Sequence, residues 1–134
     1  MNEVKVAVKG VLVKDEKMLV VQRSYNDQTG AGTWENVGGT IEFGETFEQA
    51  LAREFKEEVG LSVEVERLLY AVTFLTSPSR QIILLTFLCT ATDEAVVLSD
   101  EHEAYLWASK EELKNLLPEA IRKDFETHGV FNIL

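Results

Sequence analysis

The chain has 134 residues, of which 46% are apolar, so it is long enough to bury a core as a single domain, residues 1–134. Its net charge of −10 repels nucleic acids and anionic membranes, so we predict neither as a partner. The longest apolar run is too short for a transmembrane helix, and the N-terminus lacks the pattern of a signal or transit peptide. Since the one cysteine, Cys89, cannot form an internal disulfide, we expect a soluble cytoplasmic protein.

Six segments are predicted to be strands, either because apolar and polar residues alternate or because they are long apolar runs. The segment 25–33, rich in glycine and polar residues, is predicted to be a loop, and the short connection 77–80 predicts a hairpin. At Gly38 and Gly39 the backbone must turn tightly or approach another group closely. The predicted strands are 4–13, 18–24, 34–37, 62–76, 81–92 and 104–108.

A first helix is predicted over residues 46–59. Thr46 and Gln49 form a T-x-x-Q capping box at its start, and Gly60 suits the left-handed position after its end. This helix is expected to lie on the sheet through the apolar residues of one face.

A second helical region begins at the capping box of Ser109 and Glu112 and extends to Gly129. Pro118 is predicted to divide it into two helices. The order of strands, helix, strands and helices predicts an α/β fold in which helices cover a mixed sheet.

Three glutamates, Glu54, Glu57 and Glu58, lie three and four residues apart near the end of the first helix. At that spacing like charges repel each other, and the helix dipole disfavours negative charge at this end. A hard divalent cation held by carboxylate oxygens would remove the repulsion, and Mg²⁺ suits such a site because it also binds substrate phosphates. The alternative is a solvated charged face of the helix.

Residues 39–61 resemble the signature of the Nudix hydrolase family. That signature is Gly, five residues, Glu, seven residues, Arg-Glu, an apolar residue, any residue, Glu-Glu, any residue, Gly and an apolar residue. Every defined position matches in this chain. The matching residues are Gly39, Glu45, Arg53, Glu54, Phe55, Glu57, Glu58, Gly60 and Leu61.

The resemblance implies an α/β/α sandwich around a central mixed β-sheet. It implies hydrolysis of the diphosphate bond in a nucleoside diphosphate linked to another group, with Mg²⁺ as the cofactor and Mn²⁺ as an alternative. A nucleoside triphosphate or modified nucleotide is the favoured small-molecule substrate. An ADP-ribose-like sugar nucleotide and a nucleotide sensor without turnover are the alternatives. Loops 25–33 and 76–80 are expected to select the substrate, and because family members are often dimers, a homodimer is a further prediction.

The resemblance also assigns roles to residues. Glu54, Glu57 and Glu58 are expected to bind the metal ion, joined by the backbone carbonyl of Gly39. Arg53 and Glu45 are expected to form an ion pair that braces the loop against the helix.

A further ligand or base is often a glutamate a few residues before a tryptophan in this family. Glu101, six residues ahead of Trp107, is the candidate, and Glu103 is the alternative. For the general base we predict Glu54 first and Glu101 second. A charged loop before a strand is the simpler interpretation of residues 101 and 103.

Five other polar or aromatic side chains were weighed. Arg23 ends a predicted strand near the glycine loop, where its planar guanidinium can bind a substrate phosphate; a solvated arginine is the alternative. Trp34 is predicted to be a core residue rather than a base-stacking one, and Arg80 a surface residue. His102 and His128 lack a partner at metal-ligand spacing and are interpreted as ordinary histidines.

Overall fold

The computed structural model describes all 134 residues, which form seven strands, three α-helices and a short 3₁₀-helix. The strands are β1 (Glu3–Lys14), β2 (Lys17–Arg23), β3 (Trp34–Glu35), β4 (Gly38–Thr40), β5 (Glu64–Ser77), β6 (Arg80–Thr90) and β7 (His102–Ala108). The helices are α1 (Phe47–Val59), α2 (Lys110–Leu116) and α3 (Glu119–Thr127), with the 3₁₀-helix at Val130–Ile133.

The strands form one mixed sheet with the order β3-β2-β1-β6-β5, while β4 pairs with β1 and β7 pairs with β2. Only β1 and β6 are parallel. The pairing of β4 with β1 sets Gly39 opposite Val8 and Gly38 opposite Lys9. These pairings gather the glycine segment, the start of β7 and the end of β2 at one edge of the molecule.

Two hydrophobic cores lie on opposite faces of the sheet, because side chains of a strand alternate between its faces. Val8 and Leu12 of β1 pack with Phe55 of α1 in one core, whereas Val11 packs with Phe125 of α3 in the other. The chain therefore has the predicted arrangement of helices on both faces of a mixed sheet.

The predicted helix ends are confirmed. The side chain of Thr46 accepts a hydrogen bond from the backbone of Gln49, and Gly60 adopts φ 71° after α1. Ser109 forms the second capping box with Glu112, and Pro118 is the residue immediately before α3.

Some strand bounds differ from the predictions. Residues 38–40, predicted only as a turn or a close approach, form β4, and β7 begins at His102 rather than at residue 104. The extension arises because His102 pairs with Arg23 across an irregularity in the β2–β7 ladder. None of the helices is both long and apolar enough to cross a membrane.

Candidate metal centre and substrate clefts

Helix α1 presents its three glutamates at graded depths. The side chain of Glu57 is 59% exposed, that of Glu54 is 14% exposed and that of Glu58 is only 6% exposed. The gradient follows from the amphipathic helix, because Glu58 lies next to the buried stripe that contains Leu51 and Phe55. The carboxylates thus reach from the core to the solvent.

Arg53 organises the exposed half of this cluster. Its Nε and Nη2 donate to the two carboxylate oxygens of Glu45 at 2.8 and 3.0 Å. Its Nη1 donates to Glu54 at 2.8 Å and to Glu57 at 3.3 Å, and Nη2 also reaches the carbonyl of Thr40. The hydrogen bond with Glu45 raises the pKa of Arg53 and lowers the pKa of Glu45. The predicted ion pair is present and joins the loop before α1 to the helix.

Glu58 lies beyond the reach of that arginine. Its Oε2 is buried and has no hydrogen-bond partner. Burial, and then the neighbouring Glu54, raise the pKa of Glu58 to about 10. A buried carboxyl group with a free oxygen atom and a second carboxyl group beside it is the arrangement expected of a metal ligand.

Because Gly39 has no side chain, the carboxyl group of Glu54 can lie directly against its backbone. A Cβ atom at this position would lie 2.6 Å from Cδ of Glu54, closer than any side chain tolerates. The predicted close approach at Gly39 is therefore correct. Carboxylate and carbonyl oxygens are the donors that Mg²⁺ prefers, so the residues present fit this ion.

A second group of charged residues lies at the same edge of the sheet, next to the glutamates of α1. Lys9 Nζ is 3.2 Å from Glu35 Oε1 and donates to the carbonyl of Asn36 at 3.1 Å. Arg23 contacts Asp27 at 3.1 Å and Glu35 at 3.5 Å. Burial alone would raise the pKa of Glu35, but His102 and the charges of Lys9 and Arg23 lower it to about 2.

Two clefts meet at this edge, and both are lined by Glu58 and Glu101. The lysine–arginine cleft, about 510 Å³, is lined by no hydrophobic residue. The glutamate cleft is about 380 Å³. The lysine–arginine cleft is defined by Lys9, Arg23, Asp27 and Glu35, and the glutamate cleft by Glu42, Arg53, Glu54 and Glu57.

Of the two late glutamates, Glu101 faces both clefts and Glu103 lines neither. Glu103 instead accepts hydrogen bonds from Ser24 Oγ at 3.1 Å and from the backbone N–H of Tyr25 at 3.3 Å. The geometry therefore favours Glu101 over Glu103 as a site residue.

Three site residues escaped sequence reasoning. Lys9, Glu35 and His102 all line the lysine–arginine cleft, and His102 was interpreted as an ordinary histidine. The structure places this histidine among possible metal ligands, because one ligand atom each of Glu58, Glu101 and His102 lie within 4.8 Å of one another. The only signal in the sequence was that His102 adjoins the predicted Glu101.

The remaining candidates lie elsewhere. Arg80 pairs with Glu3 at 3.1 Å, and His128 stacks on Tyr70. Trp34 packs against the core that contains Val11 and Phe125. Residues of the β5–β6 turn line neither cleft, so of the two loops predicted to select the substrate only 25–33 contributes, through Asn26 and Asp27.

The α/β/α sandwich and the glutamates of residues 39–61 together are the features of a Nudix hydrolase, and similarity to known proteins supports this class. The family model of the NUDIX domain matches residues 3–127, so the chain belongs to the Nudix family and the predicted hydrolase class is confirmed.

Individual relatives cover most of the chain. CTP pyrophosphohydrolase of Escherichia coli K12 is 35% identical over 106 residues, covering 78% of this chain and 76% of that protein. A MutT-like protein of Streptomyces ambofaciens is 34% identical over 115 residues, covering 85% and 70%. The crystal structure of a MutT protein from Methanosarcina mazei Go1 superposes with a TM-score of 0.85 at 27% identity, covering 98% and 96%.

Proposed function

We propose that this protein is a Mg²⁺-dependent pyrophosphohydrolase that cleaves a diphosphate bond of a nucleoside triphosphate. The observation that carries the proposal is Glu58, a buried carboxyl group with one oxygen atom that has no partner, at the junction of the two clefts. The relative named CTP pyrophosphohydrolase supports a nucleoside triphosphate as substrate.

In this proposal Glu54, Glu57, Glu58 and the carbonyl of Gly39 hold the metal ion. When bound, Mg²⁺ supplies charge neutralisation for phosphate oxygens and makes a water molecule more acidic. Arg53, fixed by its two bonds to Glu45, keeps the exposed glutamates in place before the ion arrives.

Glu54 is our first choice for the general base and Glu101 the second. The carboxylate of Glu54 is oriented by Arg53 at 2.8 Å, as a positioned base should be. Water attacks phosphorus, a new P–O bond forms, the anhydride P–O bond breaks, and the proton of the water passes to the carboxylate. A nucleoside triphosphate cleaved between its α- and β-phosphates gives a nucleoside monophosphate and pyrophosphate.

Lys9 and Arg23 are proposed to bind the phosphates that project into the lysine–arginine cleft. Each cation is now paired with a carboxylate, Lys9 with Glu35 and Arg23 with Asp27. Phosphate oxygens are strong acceptors for a planar guanidinium, so the substrate can replace Asp27 as the partner of Arg23.

The test is a panel of nucleoside triphosphates, modified nucleotides and ADP-ribose with Mg²⁺, with each phosphorus product identified by ³¹P NMR. We expect triphosphates to be turned over with release of pyrophosphate. Glu57→Gln should lose most of this activity, whereas Glu48→Gln, an exposed glutamate on the first turn of α1, should retain it.

The same panel decides between the alternatives. A preference for ADP-ribose, with release of two phosphomonoesters, would contradict the nucleoside triphosphate as substrate. It would not contradict the proposed metal centre. Binding of nucleotides without turnover of any of them would contradict the enzyme and support a sensor.

We also propose that two copies of the chain pair through β5. This strand is hydrogen-bonded only to β6, and ten residues from Leu68 to Ser77 carry no charge, whereas exposed edges are normally protected by charges. Phe74 and Leu75 are 46% and 67% exposed. Sedimentation should show a dimer for the wild type and a monomer for Leu75→Glu; a monomeric wild type would contradict the pairing.

We also propose that the protein is located in the cytoplasm and that the whole chain is one domain. The first is supported by the free, buried thiol of Cys89, and the second by one sheet that both cores share.

A further inference from the structure

His102 is a buried imidazole that lacks the hydrogen bonds such a group requires. Its side chain is 3% exposed, and Nδ1 has no partner. Nε2 lies 3.5 Å from Glu58 Oε1 and 3.6 Å from Glu35 Oε2, both longer than an ordinary N–H···O hydrogen bond. Nε2 is thus the ring nitrogen that faces the carboxylates, and it lies close enough to Glu58 to share a cation with it.

The neighbours of this imidazole are also unsatisfied. Glu58 Oε2 is buried without a partner, and the exposed Glu101 side chain reaches the same point from the loop before β7. One nitrogen or oxygen atom from each of the three residues lies within 4.8 Å of the others. Donor atoms of one Mg²⁺ ion lie about 3 Å apart when adjacent and about 4.2 Å apart when opposite, so the exposed Glu101 side chain has to move closer for all three atoms to bind one ion.

We propose that His102 is a nitrogen ligand of the metal centre, together with Glu58 and Glu101, and that the centre therefore binds Mn²⁺ and Co²⁺ more tightly than Mg²⁺. The inference rests on the metal centre of the proposed function and adds a donor that the glutamate box does not contain. A site of oxygen atoms alone suits Mg²⁺, whereas an imidazole nitrogen favours transition metals.

The rival role is a hydrogen bond from His102 to Glu58 that merely orients the carboxylate. Both roles predict that removal of the imidazole weakens metal binding, so affinity alone does not separate them. Only direct coordination transfers unpaired electron density from Mn²⁺ to the ring nitrogen.

The experiment is pulsed EPR of Mn²⁺ bound to the intact protein without substrate, at about pH 8, where an ordinary imidazole is neutral. We expect a ¹⁴N coupling of a directly bound nitrogen in the wild type. The coupling should disappear in His102→Gln and persist in His128→Gln. These are the two histidines of the chain, and His128 stacks on Tyr70 outside both clefts, so it is a matched control.

A second measurement avoids any folding defect of the variant. Wild-type protein made with ¹⁵N-histidine should lose the ¹⁴N coupling and show a ¹⁵N coupling instead. In competition titrations, His102→Gln should weaken Mn²⁺ binding by about tenfold or more and Mg²⁺ binding by much less.

Two results would overturn the proposal, and they are distinguishable from failure of the proposed function. Mn²⁺ that binds without a nitrogen coupling would leave the metal centre intact and remove His102 from it. A coupling that survives in His102→Gln would assign the nitrogen to another group. Absence of any Mn²⁺ or Mg²⁺ binding by the wild type would instead contradict the metal centre itself.

Discussion

The two clefts that meet at Glu58 and Glu101 balance their charges in opposite ways. In the lysine–arginine cleft each cation already has a carboxylate partner, and Lys9 and Arg23 share Glu35. The glutamate cleft is lined by five glutamates and one arginine. One side of the site is thus nearly neutral before ligands bind, while the other retains an excess of negative charge. In the proposed function, the cation binds beside the glutamates where the two clefts meet, and phosphate binding must break existing ion pairs.

The largest effect is expected where the clefts join. Glu58→Gln keeps the shape of the side chain but removes its charge, so kcat/KM with Mg²⁺ should fall by about a thousandfold. The metal-free variant should be more stable than metal-free wild type at neutral pH, because it no longer buries an unpaired carboxyl. Turnover assays and urea unfolding in EDTA measure the two effects. Equal activity of Glu58→Gln and Glu48→Gln would remove Glu58 from the metal centre.

A substitution in the lysine–arginine cleft should weaken substrate binding without weakening metal binding. Arg23→Gln is expected to raise KM by about tenfold, because one charge-assisted hydrogen bond to phosphate is lost. Steady-state kinetics and Mn²⁺ titration check the prediction, with Arg67→Gln on exposed β5 as control. A loss of Mn²⁺ affinity in Arg23→Gln would show that the two clefts are not separate in function.

On the acidic side, Gly39→Ala should displace Glu54. We expect about tenfold weaker metal binding with a loss of stability of about 1 kcal/mol or less, because the new Cβ would overlap the carboxyl group, which can rotate away at the end of its flexible side chain. Gly44→Ala is the control: φ there is +88° but no atom lies within 4 Å, so stability should fall without loss of metal affinity. Metal titration separates the two variants, and unchanged affinity in Gly39→Ala would contradict the close packing at Glu54.

The remaining effect is a pH dependence of the free energy of unfolding of the metal-free protein. The pKa of Glu58 is raised from 4.5 to about 10, so the folded state holds a proton that the unfolded state releases. Its contribution to stability is complete below pH 4.5 and is lost as pH rises toward about 10, with a slope of at most about 1.4 kcal/mol per pH unit.

Urea unfolding in EDTA at several pH values measures this slope. Glu58→Gln should unfold with a weaker dependence on pH, and Mg²⁺ should weaken the dependence in the wild type because a cation replaces the proton. A wild type and a Glu58→Gln variant with equal slopes would show that Glu58 ionises normally.

The glutamate cleft could be predicted from the sequence because its geometry is local. Thr46 and Gly60 mark the two ends of α1, and the helical repeat then places Glu54, Glu57 and Glu58 on one side. The hairpin at residues 77–80 was equally predictable from its short connection.

The lysine–arginine cleft could not be predicted in the same way. Lys9 reaches the site because β1 pairs with β4, and His102 because β7 pairs with β2. Alternation along a strand tells which face a side chain occupies, but not which distant strand lies beside it. The burial of His102 thus depends on tertiary pairing that no local pattern contains.

The irregular pairing at the start of β7 has a mechanical consequence. Glu103 holds Ser24 and Tyr25, and the backbone N–H of Ser24 donates to the carbonyl of Glu101 at 3.0 Å. The loop after β2 therefore cannot swing outward without pulling the backbone of Glu101 with it. In the proposed function, an outward movement of this loop as product leaves the lysine–arginine cleft would also draw the backbone of Glu101 away from the metal centre.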